Sequence, residues 1–242
     1  MFYFTGDVHG NVEEFIDRFK NISLTINDTI VILGDAGFNY FGNHKDHERK
    51  MKLYYAIPAT IFCVHGNHEM RPESIAGFKC KKYCGGLVWY QEHMPHIVYA
   101  IDGMRYKFGK KTVLVMGGAY SIDKYYRLSR GANWFADEQI AEEKRLEILD
   151  SIRKNPSVDL VLTHTCPYQW QPTDLFLSGI DQSTVDNSME HFFTECERLL
   201  DYKHWLFGHF HDNRKINDKA TMLYENVMTI KEVCNNGKSY IK

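Results

Sequence analysis

Short apolar runs that stop at a glycine and then give way to helical spacing set the rhythm of this chain. Met1–Thr5 is aromatic and β-branched and predicts a strand closed by Gly6. Val12, Phe15, Ile16, Phe19 and Ile22 then fall on one helical face. The Asn27-Asp28 turn precedes Thr29–Leu33, a run that predicts a strand buried on both faces and ends at Gly34-Asp35-Ala36-Gly37. A polar stretch from Asn43 to Lys52 leads into a helix carrying Met51, Leu53, Tyr54 and Tyr55. After Pro58 a third strand, Thr60–Val64, stops at His65-Gly66-Asn67-His68-Glu69. Strands alternating with helices in this way predict a parallel α/β sheet with right-handed crossovers.

From Cys84 to Ala119 the spacing changes. Leu87–Tyr90, Ile97–Ile101, Met104–Phe108 and Thr112–Met116 are short strand candidates separated by turns, which predicts antiparallel pairing and a second sheet. Tyr120 to Phe135 is irregular, aromatic and basic. Asp137 is placed to cap a helix that runs through Lys154 and closes at Asn155-Pro156. Asp159–Thr163 predicts a strand delivering His164, Ser188–Tyr202 a helix, and His204–Phe207 a strand delivering Gly208-His209-Phe210-His211. Met222–Tyr224 and Val227-Met228 read as terminal strands. With no repeat, linker or low-complexity tract, residues 1–242 are expected to form a single domain.

Composition narrows the class. Of 242 residues 44% are hydrophobic, enough for a sizeable core, and a formal net charge of −2 gives no bulk attraction to nucleic acid or anionic membrane. The first 25 residues carry Asp7, Glu13, Glu14 and Asp17 and lack the apolar core of a signal peptide, and no run is long enough for a transmembrane helix. The six cysteines are scattered, with Cys80 and Cys84 the only close pair. Reduced thiols and a cytoplasmic location are the expectation.

The chemistry lies at the strand ends. Asp7 and His9, Asp35, Asn67 and His68, His164, and His209 and His211 each follow an apolar strand. Ligands of open α/β sheets bind outside the carboxyl ends of their strands, so these residues are expected to meet in one crevice. Carboxylates, imidazoles and an amide oxygen without thiolate suit Mn, Fe, Zn or Ni. Two such cations ~3.5–4 Å apart can generate a bridging hydroxide and clamp an in-line displacement at phosphorus.

The blocks Gly6-Asp-Val-His-Gly10, Gly34-Asp35, Gly66-Asn-His-Glu69, Thr163-His164 and Gly208-His-Phe-His211 resemble, in order, those of the calcineurin-like metallophosphoesterase superfamily. The resemblance implies a four-layer α/β/β/α sandwich with two central mixed sheets and a two-metal site. Asp7, His9 and His211 would hold one ion and Asn67, His164 and His209 the other, with Asp35 bridging. Manganese is the first choice of metal. His68, free of ligation, would serve as general acid while a metal-bridging hydroxide attacks a phosphomonoester or small phosphodiester, including a nucleotide.

The resemblance is nearest to the branch of protein Ser/Thr phosphatases and diadenosine tetraphosphatases, whose second block reads Gly-Asp-x-x-Asp-Arg-Gly. Here Phe38 stands where that Asp would orient the acid and Asn39 where the Arg would hold phosphate. Arg71 of Glu69-Met70-Arg71 is a candidate grip on a phosphate oxygen. Lys124 and Arg127, interleaved with aromatic rings in the segment Tyr120–Arg130, and Asn67 complete the candidate substrate contacts. Rival readings within the same superfamily are a protein Ser/Thr phosphatase and a nuclease, the latter disfavoured by the near-neutral charge. A catalytically silent metal-binding scaffold for a protein partner is the rival outside enzymology.

Overall fold

The computed structural model describes residues 1–235. The first helical segment, α1 (Val12–Arg18), follows β1 (Phe2–Thr5) and starts where the Asn11 side chain accepts from the Glu14 amide. β2 (Thr29–Ile32), α2 (His44–Ala56) and β3 (Thr60–Cys63) follow as the periodicity predicts. β1, β2 and β3 are parallel, with Phe4 beside Val31 and Val31 beside Phe62.

The next segment divides between two sheets. β4 (Phe78–Tyr83), β5 (Gly86–Gln91) and β6 (Met94–Ala100) form an antiparallel meander, and β6 runs parallel to β3 and so extends the first sheet. β7 (Arg105–Phe108) and β8 (Lys111–Met116) form a hairpin that opens the second. The expected antiparallel pairing is present, but only half of it belongs to a second sheet. β4 has no counterpart in the apolar pattern because it is an edge strand: Lys79, Cys80 and Lys82 face solvent and protect the edge from further pairing.

The supposedly irregular stretch contains a short helix, α3 (Lys124–Ser129). α4 (Glu142–Lys154) begins after Ala141 rather than at Asp137, since the turn before it is held by Glu138, a buried carboxylate accepting from the Ser121 amide and from Trp134 Nε1. β9 (Leu160–Thr163), α5 (Ser188–Leu199) and β10 (His204–Phe207) lie near their expected places. The end of the described chain supplies β11 (Arg214–Asn217), β12 (Ala220–Met222), β13 (Met228–Thr229) and α6 (Ile230–Cys234).

The seven-stranded sheet runs β13-β1-β2-β3-β6-β5-β4 and the six-stranded sheet β11-β12-β10-β9-β8-β7, both mixed. Alternation along each strand decides which side faces what. Val31, Phe62 and Val98 point to the interface between sheets and meet Val113, Val115, Leu160, Leu162 and Leu206. Their neighbours Ile30, Ile32, Ile61 and Ile97 point the other way, onto Phe15 of α1 and Leu53 of α2. On the far side Leu114, Val161, Trp205 and Phe207 pack under α4 and α5, against Ile152, Phe193 and Cys196. The result is a four-layer α/β/β/α sandwich. A fully buried aliphatic or aromatic side chain contributes roughly 1.5–3 kcal/mol, so this double-sided burial is the main source of stability. All six cysteines are unpaired. Among the described residues no helix is long and apolar enough to cross a membrane.

One buried histidine makes the fold acid-sensitive. His204 is 1% exposed and shares a 3.0 Å hydrogen bond with Thr221 Oγ1. Burial, assisted by the charge of Lys215, pushes it from 6.5 down to about 4. The unfolded chain therefore takes up this proton first. Its effect on stability is nil above the unfolded value, grows as pH falls through the window from 6.5 to about 4, and levels off below. The full cost is ~3 kcal/mol. In urea titrations His204→Asn is expected to show a markedly flatter loss of midpoint from pH 6.5 to 4.5 than the wild type. Parallel slopes would remove His204 from the acid response.

Candidate metal centre

The parallel strands of both sheets end at the same edge of the sandwich, and their following turns converge there. Asp7 comes from the end of β1, Asp35 follows β2, and Asn67 and His68 follow β3. His164 follows β9, and His209 and His211 follow β10. His9, Asp35, His209 and His211 adopt φ of 51°, 47°, 70° and 52°. For residues with a Cβ this left-handed conformation costs about 1–2 kcal/mol each. Among described non-glycine residues only Cys84 shares it. Strain gathered on these residues is what a preorganised site requires.

Close packing explains the flanking glycines. Gly34 has φ +95°, and a Cβ there would sit 2.0 Å from His164 Nδ1. A Cβ on Gly66 would lie 2.0 Å from Asp35 Oδ1. Neither position admits a larger residue without displacing a site side chain. Arg18 secures the first turn from outside, its guanidinium donating to the carbonyls of Asp7 at 2.8 Å and Tyr224 at 3.0 Å.

Asp7 and Asp35 are fully buried at the floor. Asp7 Oδ1 accepts from the His209 amide at 2.9 Å, while Oδ2 lies 3.2 Å from His211 Nε2 and 3.7 Å from His9 Nε2. Asp7 Oδ2 is a buried oxygen without a hydrogen-bond partner. Asp35 Oδ1 accepts from the His68 amide at 2.7 Å, and Oδ2 stands 3.6, 3.8 and 4.0 Å from ring nitrogens of His164, His9 and His68. Burial alone would raise Asp35, but the imidazoles of His164, His68 and His9 overcome it and hold the carboxyl well below its usual range.

Polar atoms meet in close pairs across the crevice. His164 Nδ1 donates to the Leu33 carbonyl at 2.8 Å, which turns Nε2 toward the crevice. That nitrogen is 2.9 Å from Asn67 Oδ1. Asn67 is oriented by its own amide, which donates to Ser121 Oγ at 2.8 Å. His9 Nε2 and His211 Nε2 are likewise 2.9 Å apart. Each pair shares a hydrogen bond at this separation, and a divalent cation could take the place of the shared proton. Burial works against a proton on His164, yet Asp35 and Asp7 push it up to about 9. His209 goes the other way, driven down to about 3 by burial and the neighbouring His164.

Asp7, His9 and His211 offer atoms within 4.8 Å of one another, and so do Asp7, Asp35 and His164. The unpartnered Asp7 oxygen and the ring nitrogens crowded around it fit divalent cations. The donor set is oxygen and imidazole nitrogen only, the chemistry of Mn, Fe, Zn or Ni.

The candidate substrate residues fare differently. Arg127, on α3, reaches the site: Nη2 is 3.4 Å from His68 Nε2, Nε donates to Asp123 Oδ2 at 2.7 Å, and Nη1 donates to Tyr40 at 3.2 Å. Burial and the charge of Arg127 together lower His68, against the pull of Asp35. Lys124 instead lies over the Trp134 ring at 4.1 Å. Arg71 pairs with Asp102 at 2.7 Å, donates to the Asp137 carbonyl, and lines a cavity apart from the one that opens on Asp35 and His68. Its Nη1 and Nε are taken by Asp102 and the Asp137 carbonyl and Nη2 is buried without a partner in a different part of the fold from His68, so this geometry does not carry the expectation for Arg71.

Phe38 and Asn39 also find their places. Phe38 is fully buried against Phe15 in the core beneath the site, and Asn39 accepts from the buried Lys50 ammonium at 2.8 Å. Asp123, Ser121 and Glu138 gave no sequence signal of their own, because their importance depends on α3 folding back over the strand ends.

These features define a class, a four-layer α/β protein with a candidate metal centre at the strand ends of its paired sheets. Residues 1–213 match the family described as Calcineurin-like phosphoesterase, and the chain belongs to that family. It is also similar to a protein of Wigglesworthia glossinidia brevipalpis named "Bis(5'-nucleosyl)-tetraphosphatase, symmetrical", with 36% identity over 69 residues. That match covers 28% of this chain and 24% of the relative, so the chain spans about a quarter of the length of the curated relative it matches.

Proposed function

We propose that the protein is a metal-dependent phosphoric ester hydrolase acting on a phosphomonoester or a small phosphodiester, a nucleotide among them. The observation that carries this reading is the convergence of Asp7, His9 and His211, and of Asp7, Asp35 and His164, with ligand atoms within 4.8 Å of one another at the strand ends. Asp7, His9 and His211 would hold one divalent cation and Asn67, His164 and His209 another, with Asp35 between them. Bound there, the cations would polarise the phosphoryl oxygens and supply an activated water.

The chain's own residues do the rest. His68, held by its amide on Asp35 Oδ1, places Nε2 at the mouth of the crevice, where a proton on it can pass to the departing alkoxide. Arg127 and Asp123 stand beside His68, supplying from α3 the charge pair that Phe38 and Asn39 do not. The guanidinium is placed to hold a phosphoryl oxygen next to the acid. The unpaired cysteines suit a reducing compartment such as the cytoplasm.

Protein freed of metal and then loaded with Mn, Ni, Zn or Mg should be assayed against p-nitrophenyl phosphate, its bis ester and a nucleotide set. Turnover that requires metal, strongest with Mn, is the expected result. Protein that binds less than one ion per chain and cleaves none of these esters would sink the proposal. Arg127→Ala is expected to lower kcat/KM roughly 10–100-fold, chiefly through KM, as loss of a hydrogen bond to a charged group does, while metal content stays at the wild-type level. An unchanged KM would return Arg127 to a structural role with Tyr40 and Asp123.

A further inference from the structure

A cavity of about 370 Å³ opens directly on Asp35, Asn67, His68 and His209 and runs beneath the chain between Gln171 and Asn187. On the proposed function, the part of the substrate beyond the phosphoryl group must lie in it. Its walls are unlike those of a site for an anion. Leu175, Phe176, Leu177, Ile180 and Val185 form one side, and Ile122 contributes to the other. Its lining contains four carboxylates, Asp35 at the strand ends and Asp123, Asp186 and Glu190 beyond it, and no lysine or arginine, although Asp123 is paired at 2.7 Å with Arg127 behind it.

Glu190 gives the cavity a polar focus. It lies in the first turn of α5 and is 3% exposed. Its Oε1 accepts from Thr165 Oγ1 at 2.8 Å, while Oε2 is buried without a hydrogen-bond partner. Burial pushes this carboxyl up to about 7, by more than the hydrogen bonds from Thr165 and from its own backbone offset. An acceptor left in that state is completed by a donor from whatever fills the cavity. The lining sets the sign of that donor's charge: neutral or positive, since a second anion would face Asp186 and Glu190, which unlike Asp123 carry no arginine or lysine partner among the described residues.

We infer that the cavity selects phosphoesters whose alcohol carries no phosphate or carboxylate of its own, lays an apolar face on the Leu175–Ile180 wall, and donates an N–H to Glu190 Oε2. This inference rests on the phosphoesterase reading and makes that reading narrower. It also separates this chain from a polyphosphate-cleaving activity, because a leaving group rich in phosphates would meet Asp186 and Glu190 with no lysine or arginine in the lining.

Three benzyl phosphates separate recognition from reactivity, one unsubstituted, one with an aminomethyl group and one with a carboxylate on the ring. With the metal-loaded enzyme, kcat/KM is expected to fall at least tenfold from aminomethyl to unsubstituted and again to carboxylate, with diadenosine tetraphosphate below all three. Glu190→Gln, which places an amide at this position, should reduce the preference for the aminomethyl ester over the unsubstituted one at least fivefold. Leu175→Arg tests the cavity independently of Glu190 and should raise the carboxylate ester relative to the others. Equal kcat/KM across the three esters, or a faster tetraphosphate, overturns the inference while leaving the phosphoesterase reading standing. If no ester turns over, that reading fails instead. Calorimetric binding of the three matching benzyl phosphonates then decides the cavity alone, the same order of affinities supporting it and equal affinities overturning it.

Discussion

Asp35→Asn is expected to abolish ester hydrolysis, lowering kcat/KM by at least ~10³-fold, or roughly 4 kcal/mol of barrier. The substitution is nearly isosteric, so the fold has little reason to change. What it removes is charge at the one carboxylate that three imidazoles approach within 4.0 Å, and it puts an amide donor or a weaker acceptor where Oδ2 now stands. Held well below the usual carboxylate range, Asp35 is anionic throughout the working pH range. Its loss should also lower bound metal per chain, read by elemental analysis after gel filtration. A variant that keeps both its metal and activity within tenfold of wild type would show that Asp35 is not the shared ligand. The amide hydrogen bond from His68 to Oδ1 survives in Asn, so the loss can be assigned to charge and not to a collapsed turn.

The second large effect belongs to His68. His68→Asn should lower kcat on an alkyl phosphate by about 10²–10⁴-fold, the usual worth of a positioned acid. On p-nitrophenyl phosphate the loss should be much smaller, because nitrophenolate departs without help. Metal content should not change, since the His68 ring is not needed as a ligand. Equal losses on both esters would mean that His68 positions phosphate or metal and does not donate a proton. A loss confined to the alkyl ester assigns it as the acid. Its partners favour that role, with Asp35 on one side to stabilise the charged ring and Arg127 on the other to make the proton easier to release.

Much of the site was legible because strand-ending glycines and the residues beside them are local signals. A strand of four apolar residues stops where the backbone must turn, and side chains that follow sit at the sheet edge whatever the rest of the chain does. That is why Asp7, Asp35, Asn67, His164 and His209 could be picked out from short blocks. Arg71 shows the limit of the same method. Its position after Glu69 suggested phosphate binding, but Asp102, distant in sequence, lies 2.7 Å away and takes the guanidinium. Lys124 is similar, drawn over Trp134 in place of the substrate. Long side chains choose among partners that tertiary packing supplies, and spacing along the chain says nothing about that choice.

The four-layer class came from the resemblance to a known family, but the alternation of strands and helices in the first half and the identity of the residues at the strand ends were determined by the sequence by itself. Hydrophobic alternation and glycine placement are enough for that, since each acts over a handful of neighbouring positions. Only the tertiary structure decided where Phe38 and Asn39 go and which charged residues stand beside His68. Those two side chains are buried among Phe15 and Lys50, and α3 brings Asp123 and Arg127 across to His68. The buried Glu190 with its unpaired oxygen was equally invisible in the sequence, because a glutamate in a helix reads as a solvated residue until another part of the chain covers it. Charge pairs and orphaned acceptors are properties of distance through space, and the fold alone sets those distances.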